Sequence, residues 1–157
     1  MADFQTHEHD VLVIGGGILG LSSARHLLKQ YPSLKLGVIE KNVDVASQQT
    51  GHNSGVIHSG IFYRPGSLKA QFCVDGRDSI VKFCEEHDIA YDRCGKLIVA
   101  SEPHELSRLD MLFERGTANG VAGLELVGPE RIAEIEPHVA AIKGLWSPAT
   151  GIVDFGA

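Results

Sequence analysis

Residues 11–20 read VLVIGGGILG, a short apolar run that ends in closely spaced glycines. Val11–Ile14 is apolar without alternation, which is typical of a strand buried on both faces of a parallel sheet. From Gly17 onward, apolar residues recur at three- and four-residue spacings, which predicts a helix that ends near Tyr31. Residues 36–39, LGVI, then predict a second strand. Strand, helix and strand in this order predict a βαβ unit, whose crossover is right-handed in nearly all proteins.

Gly15, Gly17 and Gly20 lie between the first predicted strand and the helix, at the spacing of a dinucleotide-binding turn. The first glycine permits the tight turn, the second lets the backbone approach a pyrophosphate, and the third lets helix and strand pack closely. The amino terminus of the helix offers unpaired N–H groups and a partial positive charge to the phosphates. Glu40 ends the second strand, where its carboxylate can accept hydrogen bonds from both ribose hydroxyls and would repel a 2′-phosphate. We therefore predict a dinucleotide site that disfavours NADP.

The segment after Glu40 distinguishes between NAD and FAD, which the glycines and the glutamate do not. An NAD enzyme usually continues with further strands and helices at this point. Residues 41–55 are instead a polar stretch rich in Gly, His, Asn and Ser, KNVDVASQQTGHNSG. Long loops inside compact domains are usually functional or disordered. A loop of this composition can lie along the pyrophosphate and the ring edge of a flavin, so the sequence favours FAD.

The rest of the chain predicts a mixture of helices and strands. A helix predicted over residues 67–87 would turn six side chains inward: Leu68, Phe72, Cys73, Ile80, Val81 and Cys84. Ser101 is expected to cap a helix that runs to Asn119. A short helix is expected to begin at Pro129 and to end by Pro137. Extended segments are predicted at residues 56–61, 96–100, 144–147 and 151–155.

Composition and charge exclude several classes of protein. With 43% hydrophobic and 22% charged residues, the chain is expected to fold around a core. The net charge of −6 argues against a nucleic-acid partner, since such proteins carry a basic surface. Three cysteines without a CxxC pair argue against a disulfide framework or a zinc site, and we expect no metal. Residues 1–9 are polar and acidic, unlike a secretory signal or a transit peptide, so we expect a disordered leader and a cytoplasmic protein.

Four further motifs carry a family resemblance. They are QTGHNSGVIHSG at residues 49–60, PGSLKA at 65–70, CGKLIVA at 94–100 and TGIVD at 150–154. Together with the glycine turn, they make residues 10–155 resemble the L-2-hydroxyglutarate dehydrogenases and oxidases, FAD enzymes of the D-amino-acid-oxidase-like superfamily. The resemblance implies non-covalent FAD and the oxidation of a small dicarboxylate, L-2-hydroxyglutarate, to 2-oxoglutarate. It also implies that electrons pass to a quinone, another acceptor or oxygen.

The same resemblance implies an α/β architecture. Residues 10–92 would form the amino-terminal part of a Rossmann-like FAD-binding domain with a parallel sheet, and residues 93–157 the start of a mixed α+β substrate domain. Family members are longer, so the chain is expected to be an amino-terminal fragment, with the periphery of the inner membrane as an alternative location for the full-length enzyme. Two alternative functions remain. One is another FAD-dependent oxidoreductase of the superfamily, acting on a glycerol phosphate or an amino acid, and the other is an inactive truncated chain that binds nucleotides.

Candidate catalytic residues come from the motif-dense loop. The implied reaction moves a hydride from C2 of a hydroxy acid to the flavin while a base takes the hydroxyl proton. His58 and His52 are the candidates for this role, because imidazole titrates near neutral pH. The alternatives are that both are ordinary loop or core histidines and that the base lies outside this chain.

Polar residues of the same region are candidate ligands for the cofactor and the substrate. The cofactor candidates in the loop are Thr50, His52, Asn53 and Ser54. For the asparagine and the serine, the alternative is capping of a turn within the loop. Arg64, with Tyr63 beside it, is a candidate for binding the substrate carboxylate, since a guanidinium can donate two parallel hydrogen bonds. The alternative for this arginine is a solvated loop position.

Overall fold

The computed structural model describes residues 8–157, which fold as two compact units. The first unit comprises the chain up to Ser54 together with Phe155–Ala157, and the second comprises Gly55–Asp154. The predicted leader, residues 1–9, lies outside the described residues except for its last two positions. The compact units divide after Ser54, and the functional boundary predicted at residue 92 stays a prediction.

The first unit contains the predicted βαβ arrangement. Its elements are β1 (Val11–Ile14), α1 (Ile18–Gln30) and β2 (Leu36–Ile39). The two strands are parallel, in a register that pairs Val11 with Leu36 and Ile14 with Ile39. α1 packs against both strands, and Ala24 is its buried residue.

The burial of β1 differs from the prediction. The side chains of Leu12 and Ile14 are 53% and 88% exposed, whereas those of Val11 and Val13 are half-buried. In the described part of this unit, the sheet has two strands, and α1 packs on it. Because successive side chains of a strand point to opposite faces, every second residue of β1 faces solvent. A continuous apolar run therefore predicted the strand correctly but not its burial on both faces.

The second unit, all of which the structure describes, is built from two antiparallel three-stranded sheets and three α-helices. The strands are β3 (Val56–Ile57), β4 (Tyr91–Asp92), β5 (Lys96–Ala100), β6 (Glu125–Val127), β7 (Lys143–Ser147) and β8 (Gly151–Val153). The helices are α2 (Leu68–Glu86), α3 (Leu106–Ala118) and α4 (Pro129–Ile135). One sheet has the order β3–β8–β4 and the other the order β5–β7–β6.

The core of the second unit lies where α3 packs on β5 and β7. Its buried residues are Ile61, Ala100, Leu109, Leu112, Val121 and Leu145. Leu109 and Leu112 are three residues apart and therefore share one face of α3. Full burial of each leucine side chain contributes about 1.5–3 kcal/mol to stability, so this helix face anchors the unit.

α2 buries a different face from the predicted one. The prediction that Leu68 and Phe72 point inward is wrong, because their side chains are 66% and 69% exposed. The buried residues of the helix are Ala70, Val81 and Cys84. Leu68 and Phe72 are four residues apart and share a face, but the helix packs through the face that carries the small side chain of Ala70. Hydrophobicity alone did not distinguish between the two faces.

The start of α3 also differs from the prediction, because Ser101 does not cap it. A 3₁₀ turn, Pro103–Glu105, precedes the helix, and Glu102 and Glu105 form a capping box around that turn. Oε2 of Glu105 accepts hydrogen bonds from the N–H groups of Ser101 at 2.8 Å and Glu102 at 3.1 Å. Proline is favoured at the first helical position because it has no N–H to satisfy. Pro103 therefore makes Glu102, and not Ser101, the capping residue.

Candidate functional site

Two of the predicted glycines shape the turn between β1 and α1. Gly15 has a φ of +108°, a conformation that residues with a side chain rarely adopt, and its N–H donates to the carbonyl of Ile39 at 2.8 Å. A Cβ atom on Gly20 would lie 2.0 Å from the carbonyl oxygen of Gly15 and 3.3 Å from Cγ1 of Val13. α1 can therefore pack on the turn only because position 20 has no side chain.

The amino terminus of α1 lies at a cleft of about 410 Å³. Its N-cap is Gly17, which provides no side chain, and the first turn contains no acidic residue. The helix therefore presents main-chain donors and the positive end of its dipole without a competing carboxylate of its own. The residues that line the cleft are Gly17, Ile18, Leu19, Gln48, Gln49, Thr50, Asn53 and Phe155.

Thr50 connects the polar loop to this helix. Its Oγ1 accepts a hydrogen bond from the N–H of Ile18 at 3.0 Å, so the loop supplies the side-chain cap that Gly17 lacks. The loop is also held at Ala46, whose N–H donates to the carbonyl of Gly16 at 2.9 Å. A Cβ atom on Gly17 would lie 3.2 Å from Oγ1 of Thr50. The bare glycine thus keeps the backbone and the threonine hydroxyl close together at the cleft.

Glu40 is bonded to the same turn. Its Oε2 accepts a hydrogen bond from the N–H of Gly16 at 2.7 Å, and its Oε1 accepts one from the N–H of Asn42 at 3.0 Å. These bonds, that from Asn42 foremost, hold the pKa of the Glu40 carboxyl below its usual range, so the group is ionised at neutral pH. An ionised carboxylate has about four lone-pair sites. Each oxygen can therefore accept a further hydrogen bond from a ribose hydroxyl.

The residues around this turn fit the ADP half of FAD. Main-chain donors at a helix end suit a diphosphate, and the ionised carboxylate suits the two hydroxyls of a ribose. The absence of a Cβ at Gly17 leaves the main chain accessible from the cleft. The structure brings Gly15, Gly17, Gly20 and Glu40 to one turn, and their contact with the cofactor stays a prediction.

Two of the other loop candidates, His52 and Asn53, make local hydrogen bonds. Nδ1 of His52 lies 2.9 Å from the carbonyl oxygen four residues earlier in the chain. Nδ2 of Asn53 donates to the carbonyls of Gln49 and Thr50 at 3.2 Å and 2.6 Å, so this side chain caps the turn while it also lines the cleft. Ser54 is exposed at the end of the unit. Thr50 and Asn53 therefore share the cleft, whereas His52 and Ser54 are not among its lining residues.

In the second unit, His58 begins an irregular stretch, residues 58–63, which we call the histidine segment. The hydroxyl of Ser59 is buried, lies 3.3 Å from Oγ of Ser147 and accepts a hydrogen bond from Oγ1 of Thr150 at 3.1 Å. The three hydroxyl groups satisfy one another in the interior. They hold the main chain next to His58 while the imidazole itself is exposed.

The surroundings of His58 favour the neutral imidazole. Desolvation of the ring lowers its pKa below the ordinary value of 6.5, and the positive charge of Lys96 lowers it further. The carbonyl of His58 accepts a hydrogen bond from the thiol of Cys73 at 3.3 Å, which ties the segment to α2. At pH 7 the neutral ring has a nitrogen lone pair with which it can take a proton.

Tyr63 ends the histidine segment, and Arg64 follows it, before α2. Tyr63 is half-buried, and its carbonyl accepts a hydrogen bond from Nδ2 of Asn119 at 2.9 Å. Arg64 has an exposed side chain, and its carbonyl accepts a hydrogen bond from Oγ of Ser67 at 2.6 Å. The structure places His58, Tyr63 and Arg64 on one connection between β3 and α2. Their contact with a substrate stays a prediction.

Asn119 supports this connection, and sequence reasoning treated it only as the end of a helix. Its Nδ2 donates to the carbonyls of Gly60 and Tyr63, both at 2.9 Å. Both amide hydrogens therefore satisfy main-chain carbonyls on a stretch without strand or helix partners. An asparagine after a helix signals a helix end, but nothing local in the sequence indicates acceptors 59 and 56 residues away.

Replacing Asn119 with alanine is expected to lower the free energy of unfolding by about 1–3 kcal/mol, because two main-chain carbonyls lose their donor. Urea unfolding of the chain measures the change. Asn119→Asp keeps the shape without the amide hydrogens and should lose a similar amount. Gln71→Ala, at an exposed amide on α2, is the control and should change stability by less than about 0.5 kcal/mol. Equal effects of Asn119→Ala and Gln71→Ala would contradict the assigned role.

The sequence of the chain is similar to those of mitochondrial L-2-hydroxyglutarate dehydrogenases. Identity is 50% over 149 residues with the protein of Caenorhabditis elegans and 51% over 150 residues with that of Homo sapiens. These matches cover 95% and 96% of this chain but 34% and 32% of the two relatives. The chain thus spans about a third of the length of the curated relatives it matches. The resemblance noted from the motifs is confirmed.

The expectation of a cytoplasmic protein is wrong, since these relatives are mitochondrial enzymes by name. The expectation depended on the polarity of residues 1–9. Targeting is governed by short segments that a receptor recognises, so the polarity of these nine residues does not identify the compartment. Within residues 8–157, no helix has both the length and the apolar character needed to cross a bilayer.

Solved structures share the fold. L-α-glycerophosphate oxidase from Mycoplasma pneumoniae, with FAD bound, matches with a TM-score of 0.86 at 29% identity, covering 96% of this chain and 40% of that one. Glycine oxidase from Bacillus cereus matches in fold with a TM-score of 0.78 at 23% identity, covering 95% and 41%. The predictions of an α/β fold, of FAD and of an oxidoreductase are confirmed. Residues 10–157 match the FAD dependent oxidoreductase family, and the chain belongs to this family.

Proposed function

We propose that the protein carrying this chain oxidises L-2-hydroxyglutarate to 2-oxoglutarate with FAD and passes the electrons to a quinone, another acceptor or oxygen. The observation that carries the proposal is the ionised Glu40 on the glycine turn, beside the amino terminus of α1 that lines the cleft. The substrate is taken from the relatives, with which about half of the residues are identical over nearly the whole chain. Because the chain spans about a third of their length, substrate and acceptor are both proposals.

In this proposal the first unit holds the cofactor. Glu40 binds the hydroxyls of the adenosine ribose, and the main-chain donors of α1 bind the diphosphate with Thr50 beside them. Asn53 and Ser54 offer further donors along the loop, and His52 is assigned to the flavin end. When bound, FAD supplies the acceptor for the hydride that leaves C2 of the hydroxy acid.

The second unit supplies the groups that act on the substrate. His58 takes the proton of the C2 hydroxyl, because its lowered pKa keeps the ring neutral and able to accept it at pH 7. Arg64, which is exposed and directly follows the histidine segment, binds a carboxylate of the dicarboxylate substrate, with Tyr63 beside it. Removal of the hydroxyl proton leaves an electron-rich alkoxide at C2, which favours departure of the hydride.

Substrate-dependent dye reduction by the protein purified from its source tests the proposal. Bound flavin and reduction with L-2-hydroxyglutarate are expected, with little reduction by its D-enantiomer, glycerol 3-phosphate or a panel of amino acids. Faster reduction with glycerol 3-phosphate or an amino acid would favour another enzyme of the superfamily, and absence of flavin would overturn the proposal. Turnover by the 157-residue chain alone would exclude an inactive nucleotide-binding fragment.

Replacing Glu40 with glutamine is expected to weaken FAD binding about 10- to 100-fold, because charge-assisted hydrogen bonds contribute about 1.5–3 kcal/mol. The change keeps the side-chain shape but removes the charge and part of the acceptor capacity. Quenching of flavin fluorescence during titration measures the affinity. Glu114→Gln, at an exposed position on α3, is the matched control and should bind as the wild type does. Unchanged affinity in Glu40→Gln would show that the carboxylate does not contact the cofactor.

A further inference from the structure

Lys96 is a half-buried cation that has no acidic partner within the described part of the chain. It begins β5, and its Nζ lies 4.9 Å from the centre of the Phe62 ring. Among residues 8–157, Lys96 takes part in none of the ion pairs that the structure contains. The aromatic face stabilises the ammonium but does not neutralise its charge. A partly desolvated charge of this kind favours an anionic partner.

The sheet register brings Lys96 to the histidine segment. Lys96 pairs with Ser147 across β5 and β7, and directly opposite residues of antiparallel strands share a face, with Cβ atoms about 4.5–5.5 Å apart. Oγ of Ser147 lies 3.3 Å from Oγ of Ser59, the neighbour of His58. Phe62, over which the ammonium lies, belongs to the same segment. The lysine therefore contacts the segment directly through Phe62 and is linked to it indirectly through Ser147.

The histidine segment is fixed in place from several sides. Asn119 donates to the carbonyls of Gly60 and Tyr63, and the thiol of Cys73 donates to the carbonyl of His58. Because this main chain is already ordered, side chains near it can bind a ligand with a smaller loss of conformational entropy. Phe62 in turn restricts the long lysine side chain through its ring.

We propose that the Lys96 ammonium, lying over Phe62 beside the histidine segment, binds the C1 carboxylate of the 2-hydroxy acid substrate. The inference rests on the proposed function and deepens it, since it names a contact of the substrate. The C1 carboxylate is bonded to C2, so anchoring it brings the C2 hydroxyl toward the imidazole of His58. Lys96 is in this view a positioning group and His58 the proton acceptor.

The charge of the pair favours a carboxylate over a phosphate. The imidazole of His58 is neutral at pH 7, so the pair offers one positive charge, which a single carboxylate matches. Arg77, another half-buried cation of this unit, differs because its Nε and Nη2 already donate to Asp78 at 2.8 Å and 2.9 Å. Asp78 compensates the charge of Arg77, whereas Lys96 has no such partner among the residues that the structure describes.

Titration of the isotope-labelled chain with 2-oxoglutarate, without added flavin, tests the proposal by NMR. Saturable shifts are expected at the His58 ring and at the Lys96 side chain. Lys96→Gln should raise the dissociation constant at least about tenfold, since a charge-assisted hydrogen bond is lost. Lys96→Arg keeps the charge and should restore binding to within a few-fold of the wild type. Lys82→Gln, at a lysine that is 76% exposed on α2, is the matched control and should not change binding.

Three results would overturn the proposal. They are the absence of saturable shifts in the wild type, equal affinity of Lys96→Gln and the wild type, and an equal loss in Lys82→Gln. The NMR titration measures binding without turnover, whereas dye reduction by the protein from its source measures turnover. The two experiments therefore test this inference and the proposed function separately. Anion binding without turnover would contradict the proposed function alone, whereas turnover with an unchanged KM in Lys96→Gln would contradict this inference alone.

Discussion

Replacing Gly20 with alanine is expected to weaken FAD binding about 100-fold. The added Cβ would lie 2.0 Å from the carbonyl oxygen of Gly15 and 3.3 Å from Cγ1 of Val13. Overpacking typically costs about 1–3 kcal/mol, and here the nearest atom belongs to the main chain and cannot rotate away. α1 must therefore move off the turn, and its main-chain donors move with it. Titration of the variant with FAD, followed by flavin fluorescence, measures the loss.

Gly76→Ala is the control for the added methyl group. Gly76 lies within α2, and a Cβ atom there would meet no atom within 4 Å. Alanine should therefore raise the stability of the chain by about 0.5–1 kcal/mol and leave FAD affinity unchanged. If Gly20→Ala binds FAD as tightly as the wild type, close packing of α1 on the turn is not required for the site.

Replacing His58 with glutamine is expected to lower the rate of substrate-dependent dye reduction about 10²- to 10⁴-fold, the usual contribution of a general base. Glutamine keeps a polar side chain of similar length but cannot take the hydroxyl proton. FAD content should stay at the wild-type level, because His58 belongs to the second unit and Glu40 and the glycines to the first. His138→Gln, at an exposed histidine, should retain full activity. A full rate in His58→Gln would place the base elsewhere.

The pH dependence of the reaction follows from the same histidine. Desolvation, and then the charge of Lys96, lowers the pKa of His58 below 6.5, and the neutral form is the active one. The rate should therefore stay high at pH 7 and fall only as the pH drops through that lowered pKa. Lys96→Gln removes one of the two causes, so the acid limb of the profile should move to higher pH. An unchanged acid limb in this variant would contradict the assignment of the limb to His58.

The βαβ unit and its turn were predictable because their signals are local. An apolar run, a glycine that needs positive φ and a helical repeat all lie between Val11 and Gln30. Gly20 is also a local signal, because the nearest atom that a Cβ there would meet belongs to Gly15, a neighbour in the same motif. Glu40 follows directly from the end of β2. Membership of the FAD dependent oxidoreductase family confirms FAD, the predicted cofactor.

Features that depend on distant partners were not predictable. Which face α2 buries depends on the surface it packs against, so the helical spacing predicts Leu68 and Phe72 on the buried face although both are exposed. Asn119 acts on carbonyls far away in sequence, and its role needs the fold to be known. Lys96 stands in a quoted motif, but only the fold shows that it pairs with Ser147, lies over Phe62 and joins none of the ion pairs within residues 8–157.

The central claim is that the glycine turn between β1 and α1 holds the ADP half of FAD. The relative affinities of the chain for FAD, FMN and ADP test this claim. The chain is titrated with FAD, FMN and ADP by equilibrium dialysis. FAD should bind at least about 100-fold more tightly than FMN, which lacks the adenosine ribose and the second phosphate, and ADP should displace FAD. Equal affinity for FMN and FAD, or failure of ADP to compete, would contradict the account.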